Sequence, residues 1–193
     1  MKILISGGQG FIGGILSHQL RGLGHTVSDE KWDITSSTEI KRLFTEKQAE
    51  TWDVVFHLAS ITDVRFCDEN PTISEKVNFS ATVAIADALA SQRSSCHLIF
   101  ASSSLVYDFN FRGAGPHEVS ESSRLGGQGI YAQHKLRCEE VLLDQYADKI
   151  AKVTIVRPFS HCHVMQRAER FLGRLEKKLS SSSERNIPLS DRG

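Results

Sequence analysis

The sequence lacks an excess of charge of either sign, because 23 lysines and arginines face 23 aspartates and glutamates. This balance gives no reason to expect nucleic acid or an anionic membrane as a partner. The chain also lacks an apolar run of about 20 residues, the length that spans a bilayer. We therefore expect a partner that is neither nucleic acid nor membrane.

The sequence has few cysteines, and they are widely spaced without a CxxC pair: Cys67, Cys96, Cys138 and Cys162. This spacing fits neither a zinc site nor a disulfide framework, and it predicts reduced thiols in a cytoplasmic protein. The residues Met1–Ser6 lead straight into a glycine-rich turn and resemble no targeting segment. The run His161–His163 looks like a metal-ligand cluster, but no further ligand lies nearby, so we expect no metal.

What the chain does contain is an ordinary globular composition, with 193 residues of which 40% are hydrophobic. That length allows one well-buried domain and little more. Short apolar runs alternate with longer amphipathic stretches, a pattern typical of a parallel sheet covered by helices. The predicted strands are Lys2–Ser6, His25–Ser28, Asp53–Leu58, His97–Ser102 and Lys152–Arg157. The predicted helices are Phe11–Arg21, Ser37–Gln48, Pro71–Ser91 and Tyr131–Tyr146. The predicted fold is therefore α/β, a Rossmann-type doubly wound parallel sheet with helices on both faces.

Local signals mark where two of these helices begin. Ser36 with Glu39 three residues later predicts a capping box, and Asn70-Pro71 predicts an N-cap followed by a proline at the first helical position. The third helix is expected to bury one face, made of Val77, Val83, Ala84, Ala88 and Leu89. Farther on, the apolar side chains of Met165–Leu179 are expected to pack on the domain, with a partner surface as the alternative.

The strongest local signal is the glycine-rich run Ser6–Gly13, which follows an apolar strand and opens a helix. Gly7 suits a tight turn, Gly10 leaves room for a pyrophosphate, and Gly13 allows close packing of helix on strand. The free N–H groups at the helix start would face the phosphates. The sequence predicts a site for NAD or NADP here, the alternative being a glycine-rich turn without a ligand.

A carboxylate for the adenosine ribose is expected about 20 residues after the glycines. Asp29 and Asp33 are both candidates, with Glu30 between them. An acid at the end of the second strand favours NAD, because it accepts from a ribose diol and repels a 2′-phosphate. Lys31 weakens that inference, since it could neutralise a phosphate. The alternative is that these are solvated loop charges.

A second motif, Tyr131-Ala132-Gln133-His134-Lys135, opens the last predicted helix. The spacing places Tyr131 and Lys135 one turn apart on the same face. Tyrosine has an unperturbed pKa of about 10, and a nearby cation stabilises its phenolate. The motif follows Ala101–Tyr107, a strand end rich in serine hydroxyls. Cys138 lies on the same helix but has no paired base, so we do not expect it to act as a nucleophile.

Taken together, five motifs resemble extended short-chain dehydrogenases/reductases, the NAD-dependent epimerase/dehydratase family that acts largely on nucleotide sugars. They occur in that family's order: Gly7–Gly13, His57–Ser60, Val77-Asn78, the serine strand end and YxxxK. The resemblance implies that Tyr131 is the catalytic acid/base and that Lys135 holds the nicotinamide ribose and lowers the tyrosine pKa. It implies Ser103 as the catalytic hydroxyl, with Ser104 as the alternative.

The same resemblance implies binding residues. Those for NAD, or NADP, are Gly7, Gly10, Phe11, Ile12, Gly13, Asp29, Asp33, Ile34, Leu58, Ala59, Ser60, Asn78, Tyr131, Lys135 and Pro158. Those for the substrate are Thr62, Ser103, Ser104 and Ser160.

Two departures from the family pattern matter. The short span between the second strand and Asp33 resembles the deoxy-sugar reductase branch (dTDP-4-dehydrorhamnose reductase and relatives), which leaves NAD versus NADP open. Ser160 stands where epimerases commonly carry asparagine. We expect residues 1–160 to form the dinucleotide-binding catalytic domain and 161–193 to begin a substrate-binding region that is largely absent. The chain would then be either a fragment or a short homologue.

Two functions follow as hypotheses. The first is epimerase, dehydratase or reductase chemistry on a nucleotide sugar or related polyol, with Tyr131 as acid/base and hydride passing to or from the nicotinamide. The second is a dinucleotide-binding regulatory or scaffold protein that has lost the reaction. In the family, the helices corresponding to Pro71–Ser91 and Tyr131–Tyr146 often form a dimer, so a homodimer is reasonable here.

Overall fold

The computed structural model describes residues 1–44, 52–91, 95–108 and 118–159, which fall within one compact unit, Met1–Phe159. The predictions for Ser160, His161–His163 and Met165–Leu179 lie outside these residues. The strands are β1 Lys2–Ser6, β2 Thr26–Ser28, β3 Val54–His57, β4 His97–Ala101 and β5 Lys152–Val156. The helices are α1 Phe11–Gly22, α2 Ser37–Phe44, α3 Val64–Glu69, α4 Pro71–Glu75, α5 Ala81–Ser91 and α6 Ile130–Gln145. A π-helical segment, Lys76–Ser80, joins α4 to α5, and Ser104–Val106 form a 3₁₀ turn.

The strands form one sheet in the order β2-β1-β3-β4-β5, and every neighbouring pair is parallel. The chain moves from β1 to β2 in one direction and then crosses back over β1 to β3. Ligands of such sheets bind where the direction of winding reverses, at the carboxyl ends of the strands. In this sheet that point lies between the ends of β1 and β3, where Ser6 is in register with His57.

The helices cover both faces of the sheet, as predicted. The crossovers from β1 to β2 and from β2 to β3 run in opposite directions, so right-handed connections place α1 and α2 on opposite faces. On the face of α2, the core joins that helix, α5 and α6 to the sheet. Its largest fully buried members are Leu4, Phe44, Ile85, Leu89, Leu98, Phe100, Leu142 and Ile150. The Rossmann-type prediction is confirmed.

The third predicted helix, Pro71–Ser91, differs from the expectation in its middle. The π-helical segment inserts an extra residue and changes which side chains face the sheet. Of the five side chains expected to be buried, only Ala88 and Leu89 are, whereas Val77, Val83 and Ala84 are half-buried. The residues that α5 buries are Ala81, Thr82, Ile85, Ala86, Ala88 and Leu89. The helix α3 was not predicted.

At each of the two predicted helix starts, the structure has the expected residue in place but only part of the expected hydrogen bonding. The Glu39 N–H donates to the Ser36 hydroxyl at 3.3 Å, but the Glu39 carboxylate accepts from the backbone N–H of Asp33 and so does not close the box. Asn70 occupies the N-cap position before Pro71, yet its side-chain amide donates to the carbonyl of Phe66. The end predicted for the second helix, Gln48, lies outside the described residues.

Candidate active site

The glycine turn brings the end of β1, the start of α1 and the end of β3 into contact. Gly7 has φ of +76°, and a Cβ there would lie 2.8 Å from the backbone nitrogen of Ala59. A Cβ at Gly13 would lie 2.2 Å from the carbonyl oxygen of Gly7. Gly10 occupies the N-cap of α1 without a side chain to accept from the first turn. The backbone therefore meets the geometric demands of a turn that receives a diphosphate.

Sequence reasoning missed Gly8 in the same turn. A Cβ at Gly8 would lie 2.4 Å from the Cβ of Asp29 and 2.7 Å from the Asp29 carbonyl oxygen. The turn therefore packs directly against the residue that follows β2. The glycine pattern alone does not distinguish Gly8, because its constraint comes from a neighbour 21 positions away.

Asp29 is in the predicted place, but its carboxylate is engaged elsewhere. Both carboxylate oxygens accept from Arg21 in the last turn of α1, at 2.7 and 3.0 Å. This hydrogen-bonded guanidinium holds the pKa of Asp29 below its ordinary value. The side chain of Asp29 is therefore part of an ion pair between α1 and the end of β2.

A cleft of about 540 Å³ opens beside the glycine turn. It is lined by Gly7, Gly8, Gln9, Glu30, Lys31, Trp32, Asp33, Ile34, Thr35, Glu39, Ala59, Ser60, Ile61 and Val77. The structure thus brings the predicted residues Gly7, Asp33, Ile34, Ala59 and Ser60 together around one space. Asp29 is not among the lining residues.

The carboxylate of Asp33 is held by its own loop. One of its oxygens accepts from the backbone N–H and the hydroxyl of Thr35, both at 2.8 Å. These hydrogen bonds lower the pKa of Asp33. The acid–aliphatic pair Asp33-Ile34 therefore forms a structured wall of the cleft, with Ile34 buried.

His57, at the end of β3, links three elements beneath the turn. Its Nδ1 lies 2.7 Å from the hydroxyl of Ser6, and its Nε2 lies 3.0 Å from the hydroxyl of Thr82. Burial lowers the pKa of His57 to about 3, so the imidazole is neutral. The Ser6 hydroxyl also accepts from the N–H of Ala59, which follows the half-buried Leu58. His57 therefore supports the loop that lines the cleft.

Asn78 supports the same loop from the π-helical segment. Its side-chain oxygen Oδ1 accepts from the Ser60 hydroxyl at 2.9 Å and from the Ile61 N–H at 2.8 Å. Its side-chain amide donates to the carbonyl of Ile61 at 2.9 Å. With 1% exposure, Asn78 holds the loop without lining the cleft, and the adjacent Val77 does line it. Thr62, the next residue of the loop, is exposed.

Tyr131 and Lys135 lie on the buried side of α6, as their spacing predicted. The Lys135 Nζ lies 5.9 Å from the centre of the Tyr131 ring and donates to the carbonyl of Ala101 at 2.7 Å. Burial lowers the pKa of Lys135 to about 8. Lys135 thus joins α6 to the last residue of β4, two positions before Ser103.

The serine strand end continues directly from that contact. Ser103 is 9% exposed, and its hydroxyl accepts from the N–H of Leu105 at 3.2 Å. The N–H of Ser104 donates to the carbonyl of Pro158 at 3.0 Å, which ties the ends of β4 and β5 together. The predicted residues of this half of the site therefore share the carboxyl edge of the sheet with the glycine turn.

Gly127, which sequence reasoning missed, lets α6 approach the 3₁₀ turn. A Cβ there would lie 2.1 Å from the carbonyl oxygen of Leu105 and 2.8 Å from the Cβ of Ala132. The only signal for it was its place just before the YxxxK motif. Asp68 of α3 was missed as well: its carboxylate accepts from the N–H of Ile130 at 3.0 Å and caps α6.

A buried ion pair lies one further turn along α6. Glu139 accepts from Arg157 through both carboxylate oxygens, with a shortest contact of 2.6 Å. The hydroxyl of Ser102 donates to the same carboxylate, and Arg157 also donates to the hydroxyl of Tyr107 at 3.2 Å. The Glu139 partner raises the pKa of Arg157. This network holds Ser102, which lies between the Lys135 contact and Ser103.

The surroundings of the described cysteines do not favour a nucleophilic thiolate. Cys67, Cys96 and Cys138 are buried, and none of the three forms a disulfide. The thiol of Cys138 donates to the carbonyl of Asn78, and burial raises its pKa to about 11. Within the described ranges there is no group of three or more histidines, cysteines or acids that could hold a metal, and no helix there is long and apolar enough to cross a bilayer.

Comparison with known proteins agrees with this geometry. Residues 1–187 match the family described as the RmlD substrate binding domain. The dTDP-4-dehydrorhamnose reductase of Mycobacterium tuberculosis is 29% identical over 150 residues, which cover 76% of this chain and 47% of that protein. The chain thus spans about half the length of this relative.

Solved structures show the same fold. RMD from Pseudomonas aeruginosa, complexed with NADPH, superposes with a TM-score of 0.79 at 22% identity, covering 93% of this chain and 60% of that one. UDP-glucose 4-epimerase from Thermus thermophilus, complexed with NAD, gives a TM-score of 0.70 at 20% identity, covering 81% and 54%. The predicted family is confirmed: this chain belongs to the RmlD substrate-binding-domain family, within the NAD-dependent epimerases and reductases of the short-chain dehydrogenase type.

Proposed function

We propose that the chain is the dinucleotide-binding and catalytic part of an NAD(P)-dependent reductase or epimerase that acts on a nucleotide sugar. The observation that carries the proposal is the contact of Lys135 with the carbonyl of Ala101. It places the Tyr131–Lys135 face of α6 against the strand end that bears Ser103. The glycine turn lies at the same edge of the sheet, so both halves of the reaction site are present in one domain.

The residues fit a dinucleotide. A Cβ at Gly7 or Gly13 would collide with backbone, so only glycine at these positions allows the turn to pack tightly at the start of α1, where a helix N-terminus favours a phosphate. The cleft beyond the turn has room for a nucleoside, with Ile34 on one wall and Ala59 and Ser60 on another. NAD or NADP, once bound there, supplies or accepts a hydride.

Tyr131 is the proposed acid/base. The ammonium of Lys135, whose Nζ lies 5.9 Å from the centre of the Tyr131 ring, would favour the phenolate over the phenol through its positive charge. The hydroxyl of Ser103 would donate to the substrate oxygen, while Tyr131 gives a proton to that oxygen during reduction and takes it back during oxidation.

The relatives named above support a nucleotide sugar as substrate, since they are a reductase and an epimerase of such compounds. They also support an enzyme over a dinucleotide-binding regulatory protein. A homodimer through the helices Pro71–Ser91 and Tyr131–Tyr146 is part of the same proposal, and light scattering of the purified chain tests it.

The deciding experiment compares wild type with Tyr131→Phe. With dTDP-4-keto-6-deoxy sugars, turnover is followed through the consumption of reduced nicotinamide. With UDP-sugars it is followed by chromatography of the epimeric sugar, because epimerisation leaves no net change in the cofactor. We expect the variant to lose at least about a hundredfold in kcat, the usual contribution of a general acid, while its NADH affinity changes less than about threefold. Wild-type turnover that persists in the variant would contradict the role of Tyr131. Failure of the wild type to bind either reduced dinucleotide would contradict the proposed function.

A further inference from the structure

We propose that Arg21 sets the cofactor preference of this chain. By holding the carboxylate of Asp29, it lets the adenosine end of the cleft accept the 2′-phosphate of NADP as well as the 2′-hydroxyl of NAD. The inference rests on the proposed function, because it concerns the same dinucleotide, but it is tested by binding alone.

The first step is the position of Asp29. It follows the last residue of β2 directly, and its backbone and Cβ pack on Gly8 of the glycine turn. In sheets of this kind an acid at that point hydrogen-bonds the adenosine ribose, and its charge opposes a phosphate on the 2′-oxygen. An uncompensated carboxylate at position 29 would therefore select NAD.

The second step is that the negative charge of the Asp29 carboxylate is neutralised by the guanidinium of Arg21. Arg21 meets both oxygens of Asp29, at 2.7 and 3.0 Å, in the two-point geometry that guanidinium and carboxylate favour. A further bond from Arg21 to the carbonyl of Val27, at 3.0 Å, anchors the guanidinium on β2. The side chain of Asp29 is only 15% exposed, so the pair places a net charge close to zero beside the turn.

The third step concerns the other charges of the cleft. The Asp33 carboxylate accepts from Thr35, and the Glu39 carboxylate accepts from the Asp33 N–H, so both are engaged at the start of α2. Within the described part of the chain, the lining side chains Glu30 and Lys31 make no hydrogen bond or ion pair. Lys31 is the one cation among the described lining residues. Glu30 and Lys31 therefore leave one unpaired negative and one unpaired positive charge on the lining of the cleft. With this balance, the charge of the lining excludes neither NAD nor NADP.

The test measures the dissociation constants of NADH and NADPH by nicotinamide fluorescence with the whole 193-residue chain. We expect the two wild-type constants to lie within about tenfold of each other. In Arg21→Gln the freed Asp29 carboxylate should lower the NADPH-to-NADH affinity ratio by at least about tenfold, which is about 1.4 kcal/mol. The double variant Arg21→Gln/Asp29→Asn should return to the wild-type ratio, and Arg21→Lys should shift it less than Arg21→Gln.

Two results would overturn the inference: an unchanged ratio in Arg21→Gln, or a wild-type preference for NADH above about a hundredfold. Binding of neither dinucleotide would contradict the proposed function itself. If Arg21→Gln fails to fold, as judged by circular dichroism, Asp29→Asn takes its place. That variant leaves the guanidinium unpaired, so the ratio should rise by about threefold or more in favour of NADPH, and an unchanged ratio would again overturn the inference.

Discussion

Lys135 donates from its ammonium to the main-chain carbonyl of Ala101, 2.7 Å away, and so joins the helix of Tyr131 to the strand end of Ser103. The contact crosses 34 positions of sequence. It uses a carbonyl at the end of β4, where the parallel ladder stops and a backbone acceptor becomes available. The cation is therefore placed by the sheet as well as by its own helix.

Removing the ammonium of Lys135 should lower the catalytic rate much more than the affinity for the dinucleotide. In Lys135→Met the phenolate of Tyr131 loses its stabilisation, and we expect kcat to fall by a hundredfold or more, with a smaller loss of dinucleotide affinity. Lys135→Arg keeps the charge in a different shape and should recover part of kcat. Equal kcat in wild type and Lys135→Met would contradict the role given to Lys135.

The pair Gly13 and Gly14 offers a matched test of the turn. A Cβ at Gly13 would lie 2.2 Å from the carbonyl oxygen of Gly7, whereas one at Gly14 would lie 3.6 Å from that of Gly8. We expect Gly13→Ala to abolish dinucleotide binding and lower the melting temperature. Gly14→Ala should keep binding and gain about 0.5–1 kcal/mol, because alanine costs less backbone entropy in a helix. Binding and thermal unfolding of both variants, which differ only in position, check the prediction.

The neutral imidazole of His57 makes stability depend on pH in a defined window. Its pKa is about 3 in the folded chain against 6.5 when unfolded, so below pH 6.5 the unfolded state binds a proton that the folded state does not. The free energy of unfolding should therefore fall by roughly 1.4 kcal/mol per pH unit between about pH 6 and pH 4 from this group.

Urea unfolding at pH 7 and pH 5 measures this slope. The variant His57→Asn should be less stable at pH 7 but should lose less stability on acidification than wild type. His18→Asn, at an exposed site of α1, is the control and should show the wild-type slope. A wild-type slope in His57→Asn would show that other groups carry the acid sensitivity.

Two ion pairs of α6 should differ widely in energetic importance. Arg157–Glu139 is buried, with side chains 16% and 4% exposed, whereas Arg137–Glu75 is 44% and 46% exposed. Glu139→Gln leaves the Arg157 guanidinium short of its partner, and Arg157→Met leaves a buried carboxylate unpaired, so we expect losses of about 3–5 kcal/mol. Breaking Arg137–Glu75 should cost at most about 1 kcal/mol. Denaturant unfolding of Glu139→Gln, Arg157→Met, Glu75→Gln and Arg137→Met checks this, and similar losses for both pairs would contradict it.

Several features of the fold were predictable because they depend on neighbours in sequence. The strands β1, β3, β4 and β5 coincide with short apolar runs of the sequence, and the predicted bounds agree to within one residue at each end. The spacing of Tyr131 and Lys135 placed both on one face of a helix, since that relation is set by helical geometry alone.

The register of the helix after Pro71 was not predictable in the same way. A period of 3.6 residues assumes an uninterrupted α-helix, and the π-helical segment Lys76–Ser80 breaks that assumption. The segment places Asn78 where its amide meets both Ser60 and Ile61. Those partners lie 17 and 18 positions away, and no local pattern indicates them.

The sequence by itself determined the five strands, the glycine turn and the Tyr131–Lys135 face, because each follows from local backbone and side-chain geometry. Only the tertiary structure decided which acids face the cleft. Asp29 and Asp33 are equivalent as carboxylates in the sequence, but Arg21 reaches the first from the far end of α1, and the second lies on the cleft wall. Which partner a charge meets depends on how separate elements pack, and the same packing brought Glu139 to Arg157.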